Sequence, residues 1–130
     1  MRKSRVKIIA LAFALQIVLP DAGGRAVAQD GIAAFRAMAP LDQYLISDEK
    51  SEIALARSAA PGSISDGAEV MVLGREGYKT AVKGTNGFLC IVERSWGAST
   101  DQTEFWNPKI RAPHCFNAQA ARTFAPIYLM

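Results

Sequence analysis

The spacing of apolar residues changes along this chain, and each change predicts an element. Residues 8–19 are continuously apolar except for Gln16. Residues 29–39 are rich in alanine, with Ile32, Phe35 and Met38 at every third position. That spacing predicts a weak helix ending at Pro40, with a disordered terminus as the alternative. Leu41, Tyr44 and Leu45 follow at helical spacing and predict one or two turns. The next helix is more strongly signalled. Ser47 or Asp48 can accept its first free N–H groups, Asp48, Glu49 and Glu52 suit the positive end of its dipole, and Arg57 suits the negative end. Ile53, Ala56 and Ala60 form its apolar stripe, Leu55 and Ala59 sit beside it, and Pro61-Gly62 stops it.

From residue 69 the period becomes two. Residues 69–73 predict a strand, Arg75-Glu76-Gly77 its turn, and residues 78–83 a second strand. Gly84-Thr85-Asn86-Gly87 comes next, and Asn-Gly predicts a type I′ hairpin into a third strand, residues 88–94. In that register Val82 faces Ile91 and Thr80 faces Glu93. Tyr78, Thr80, Val82, Leu89 and Ile91 then share one face, and Lys79, Ala81, Lys83, Cys90, Val92 and Arg94 the other. The third strand is apolar on both faces, so its second face needs a cover. After Trp96 the pattern is irregular, with turns at Asn107, Pro108 and Pro113 and with Phe105, Trp106 and Phe116 in predicted loop. Residues 118–122 predict a helical turn. Residues 123–130 contain Pro126 and predict an edge strand or extended segment. The expected fold class is α+β: short N-terminal helices on a three- to four-stranded antiparallel β-meander, followed by a long irregular segment pinned by a disulfide.

The apolar block near the start predicts the destination. Arg2, Lys3, Arg5 and Lys7 precede it, residues 20–24 break it, and Ala26-Val27-Ala28 provides small residues for cleavage. These are the three regions of a secretory signal peptide, residues 1–28, with cleavage expected after Ala28. A block of about a dozen residues is too short to span ~30 Å of hydrocarbon, so a membrane is involved only during export. No cysteine lies near the cleavage site to carry a lipid, and no twin-arginine pair is present. The expected location is secreted or periplasmic, and the mature chain, residues 29–130, is expected to be one small domain. Its apolar end, Ile127-Tyr128-Leu129-Met130, predicts either a terminus tucked into the fold or truncation of a longer chain.

Cleavage reverses the charge. The full chain carries +3. Arg2, Lys3, Arg5, Lys7 and Arg25 leave with Asp21, so fifteen Lys/Arg become ten, twelve Asp/Glu become eleven, and the mature net charge is −1. The electrostatic footprint of a nucleic-acid-binding protein goes with the leader.

The stretches "GREGYKTAVKGTNGFLCIVERSW", "EFWNPKIRAPHCFN" and "PIYLM" resemble a family of uncharacterised secreted bacterial proteins. The resemblance covers roughly residues 58–129. It implies a secreted bacterial protein and a chain that continues further in other members. It implies no activity, cofactor or site residue.

Few residues offer chemistry. His114 is the only histidine, and with Cys90 and Cys115 alone it cannot complete a tetrahedral metal site, so neither metal nor cofactor is expected. His114 and Cys115 are adjacent in sequence, but neighbours rarely reach hydrogen-bond geometry. In an oxidising compartment Cys115 is expected to bond Cys90. Helices first and an antiparallel sheet after is the layout of microbial ribonucleases. By that analogy Glu93 would be the base, His114 the acid and Arg94 or Arg111 the phosphate clamp. Adjacent strand residues Glu93 and Arg94 point to opposite faces, however. Trp96, Phe105 and Trp106 are the candidate patch for a protein or glycan partner, or else lids over a thin core. Lys79 and Lys83 read as edge gatekeepers. The expected function is a non-catalytic binding or structural module. The alternative is a small secreted hydrolase of the ribonuclease-like phosphodiesterase kind, using Glu93 and His114.

Overall fold

A computed structural model describes residues 35–129. The predicted signal peptide and residues 29–34 lie outside that range. A 3-10 turn at Leu41–Gln43 precedes α1, Glu49–Arg57, and a short α2, Gly62–Ser65. Strands β1, Glu69–Gly74, β2, Gly77–Val82, and β3, Leu89–Glu93, follow, then a second 3-10 turn at Ser95–Gly97. The chain ends with β4, Ala112–Phe116, α3, Ala118–Thr123, and α4, Ala125–Tyr128.

α1 starts where expected. Asp48 accepts the Ser51 N–H at 2.9 Å, and these capping bonds hold its carboxyl below the usual value. The helix buries Ala56 completely. An alanine there lets the helix lie close on the sheet.

The fold is α+β, as expected, but its four strands form one mixed sheet in the order β2-β1-β3-β4 and not the expected antiparallel meander. β1 and β2 are an antiparallel hairpin with Gly74 opposite Gly77, whose φ of 100° only glycine adopts freely. β3 does not pair with β2. It runs parallel to β1, with Val70 beside Cys90. Val82 therefore faces Val70 and Thr80 faces Met71. The Asn86-Gly87 hairpin fails because Asn86 never takes a positive φ; only Gly77 and Gly87 do among the described residues. Asn86 ties down a crossing instead. Its Oδ1 accepts the Phe88 N–H at 3.0 Å, and its Nδ2 donates to the Ile64 carbonyl at 2.7 Å. The backbone N–H groups of Thr85 and Asn86 both donate to the Gly67 carbonyl. Residues 83–88 thus pass over the start of β1, so closely that a Cβ on Gly84 would overlap the Glu69 backbone.

This route makes β3 central, which its two-sided apolarity requires. Leu89, Cys90, Ile91 and Val92 are all buried. The fourth strand comes from the segment read as irregular. β4 pairs antiparallel with β3, and its Pro113, which has no N–H, sits on an edge strand where proline is tolerated. The predicted extended end is helical instead. Asn117 caps α3, and Pro126 occupies the first turn of α4, where its missing N–H costs nothing.

Three apolar clusters result. Under α1 lie Val70, Val72, Cys90 and Val92 with Ala56 and Ala68. On the opposite face Leu89 and Ile91 pack with Ala125, Phe116, Ala121 and Tyr128. At one end of the sheet Tyr44, Leu73 and Trp96 meet Phe105 and Trp106. Cys90 and Cys115 are bonded, as expected, but as directly opposed residues of β3 and β4 with Cα atoms 4.0 Å apart. The bond joins two strands; it does not pin the aromatic loop across a bare face. That face is covered by α1.

Candidate functional site

Glu93 and His114 meet. Strand register explains why: His114 stands opposite Ile91 and Glu93 opposite Ala112, so the two lie diagonally on one face of the β3–β4 pair. His114 Nδ1 is 2.9 Å from Glu93 Oε2. The Glu93 side chain is 12% exposed and the His114 side chain 43%, so one partner is held inside and the other reaches water. Burial raises the Glu93 carboxyl above its usual value, and the adjacent imidazole opposes this by a smaller amount. Gly97 closes the inner side: a Cβ there would overlap both Glu93 Oε1 and the Tyr128 ring. The rings of Phe116 and Tyr128 stand edge-on to the imidazole at 5.8 and 6.0 Å. The pair is an oriented imidazole in a half-exposed aromatic setting.

Arg94 leaves β3 on the other face, as alternation predicts, and is fully buried. Its Nε donates to the Tyr44 carbonyl at 2.8 Å, and one terminal nitrogen donates to Glu52 Oε1 at 2.9 Å. The other terminal nitrogen donates to the Val92 carbonyl. Glu52, only 1% exposed, also accepts the Leu73 N–H at 3.0 Å through the same oxygen. Arg111 donates to the carbonyls of Pro108 and Ile110, both at 2.7 Å, and of Gln43 at 3.1 Å. Burial, and secondarily the charge of Arg94, lower its pKa. The four residues of the ribonuclease analogy therefore divide: Glu93 and His114 come together, while Arg94 and Arg111 are spent on protein carbonyls and, for Arg94, on Glu52.

Trp96 is 4% exposed and belongs to the core, with its Nε1 donating to the Tyr128 carbonyl at 3.1 Å. Phe105 and Trp106 are half-buried. Among the described residues, the large apolar side chains that do stand in solvent are Met38, Phe124 and Ile127. Lys79 pairs with Glu49 at 2.9 Å on the surface. No group of three metal-ligating side chains converges among the described residues, and no helix among them is long and apolar enough to cross a membrane. Sequence reasoning missed the Glu52–Arg94 pair. Its signal was present: Glu52 lies four residues before Ala56, on the stripe of α1 that faces the sheet. Comparison with protein-family models, curated proteins and solved structures finds no match.

Proposed function

We propose that this protein is an exported, non-catalytic binding or structural module. The observation that carries the proposal is that both arginines of the phosphate-clamp analogy are engaged by acceptors within the protein. A phosphodiester needs a cation in the site, and Arg94 and Arg111 are held on internal acceptors. Apolar side chains, meanwhile, stand outside at Phe124 and Ile127, each more than half exposed. Such groups suit contact with a protein or a glycan. Export is supported by the basic-apolar-small order of residues 1–28 and by the disulfide, a bond of oxidising compartments.

One observation favours a second reading, a small secreted hydrolase. Glu93 orients His114 through Nδ1, as a carboxylate does for a general base. A single assay separates the two. The mature protein is incubated with a dinucleoside phosphodiester, alongside the His114→Asn variant. The binding reading expects no cleavage by either protein. Turnover that disappears in H114N establishes the hydrolase and ends the non-catalytic proposal. The positive arm is capture of partners from the native extracellular or periplasmic fraction, with Phe124→Ser and Ile127→Ser expected to weaken it.

A further inference from the structure

We infer that the Cys90–Cys115 bond is a redox latch holding residues 112–129, the unit of β4, α3 and α4, on the rest of the sheet. The inference stands apart from the proposed function. β4 is an edge strand of five residues, each half-buried, and Pro113 offers no N–H to its partner Val92. The unit supplies one side of one cluster, in which Phe116, Ala121, Ala125, Tyr128 and Leu129 cover Leu89 and Ile91, and gives only Cys115 itself to the cluster under α1. The buried members of the other two clusters all lie between Tyr44 and Trp96 and keep one another as partners if the unit leaves. The side-chain ties across the boundary are modest. They include the Glu93–His114 pair, one Trp96-to-Tyr128 hydrogen bond, and a Cys115 Sγ contact of 3.8 Å with the Ala56 carbonyl. The backbone ladder of β4 on β3 runs over five residue pairs, and the covalent bond is the one tie that a reductant cuts.

The two cysteines differ in burial: Cys90 is fully buried and Cys115 half-buried. A thiolate of a dithiol reductant attacks Cys115 Sγ and forms a mixed disulfide, and Cys90 departs as a thiolate that takes up a proton. The second thiol of the reductant then breaks the mixed disulfide and frees the Cys115 thiol. Two electrons and two protons pass to the protein, and the reductant closes to its own disulfide. Opening uncovers the apolar row Leu89 and Ile91 and the free ladder edge of β3, the kind of edge onto which an extended segment can add.

The test uses the mature protein, oxidised and after treatment with dithiothreitol without denaturant, with the Cys90→Ala/Cys115→Ala double variant as a second open form. Thiol titration follows reduction and amide exchange follows the structure. The latch expects two thiols to appear under native conditions, protection to be lost across residues 112–129 and at the β3 amides facing β4, and protection to persist in α1, β1 and β2. Rapid tryptic cleavage after Arg122 should accompany it. Resistance to reduction in the absence of denaturant overturns the inference. So does protection of residues 112–129 in the double variant equal to that of the oxidised protein, and so does loss of protection throughout the chain.

Discussion

Glu93 and Arg94 are neighbours in sequence and opposites in environment. Arg94 is sealed under the sheet against Glu52, and losing either partner strands a buried charge. Glu52→Ala should therefore cost about 3–5 kcal/mol, whereas replacing both residues with apolar groups of similar volume should cost far less. Urea denaturation of the single and double variants decides this, and equal losses in both would show that the pair itself stabilises the fold. Glu93 gives a pH signature. Its carboxyl is raised above 4.5 in the folded chain, chiefly by burial. The folded state then binds the proton more tightly than the unfolded state, so this residue makes stability fall as pH rises from about 4.5 through the raised value. Glu93→Gln should flatten that fall, and stability profiles parallel to the parent's across that window would refute the assignment. Tyr78 behaves alike at the alkaline end. Burial pushes its phenol up to about 12, and its O–H donates to the Val92 carbonyl at 2.6 Å. Ultraviolet titration should show a late phenol that Tyr78→Phe removes, with stability falling as pH climbs past 10.

Elements were legible wherever local chemistry decided them. The cap and small-residue stripe of α1, the glycine turn between β1 and β2, and the two-sided apolarity of β3 all read directly from the sequence. Pairing was not legible, because Asn86-Gly87 presents the same dipeptide whether it turns a hairpin or lashes a crossing. The choice was made by Gly67 and Ile64, twenty or so residues away, whose carbonyls take the bonds of residues 85 and 86. β4 was hidden for a related reason: its Pro113 and half-buried pattern signal a loop until β3 is there to pair with. The Glu93–His114 contact depended on that pairing, so the residues were legible and their meeting was not. The two topologies make opposite predictions at the glycines. A hairpin would leave Gly84 free of neighbours. In the crossing, Gly84→Ala forces a Cβ onto the Glu69 backbone, while Gly87→Ala strains a φ of 79° at roughly 1–2 kcal/mol. Gly84→Ala should accordingly be the more damaging of the two in thermal or urea unfolding, and a neutral Gly84→Ala would argue for the hairpin after all.

At the scale of the molecule, a chain this short divides its core into three small clusters. A covalent tie matters more in such a fold than in a large domain. The bond closes a separation of 25 residues, which by the chain-entropy argument contributes roughly 3–4 kcal/mol, against the ~5–15 kcal/mol a domain usually holds. Stability is thereby linked to the destination proposed above: the leader we propose for residues 1–28 would take the chain out of a reducing compartment, to where the bond can form. Residues 1–28 hold five Lys/Arg and one Asp, so the mature protein we propose should be slightly acidic although the full sequence has a pI near 9.1. Intact mass of the exported protein tests both halves of this linkage in one measurement. The expected species begins at Gln29 and is two hydrogen atoms lighter than its reduced form. A species that retains residues before Ala28 would overturn the leader, and one at the full dithiol mass would remove the covalent tie on which the C-terminal unit depends.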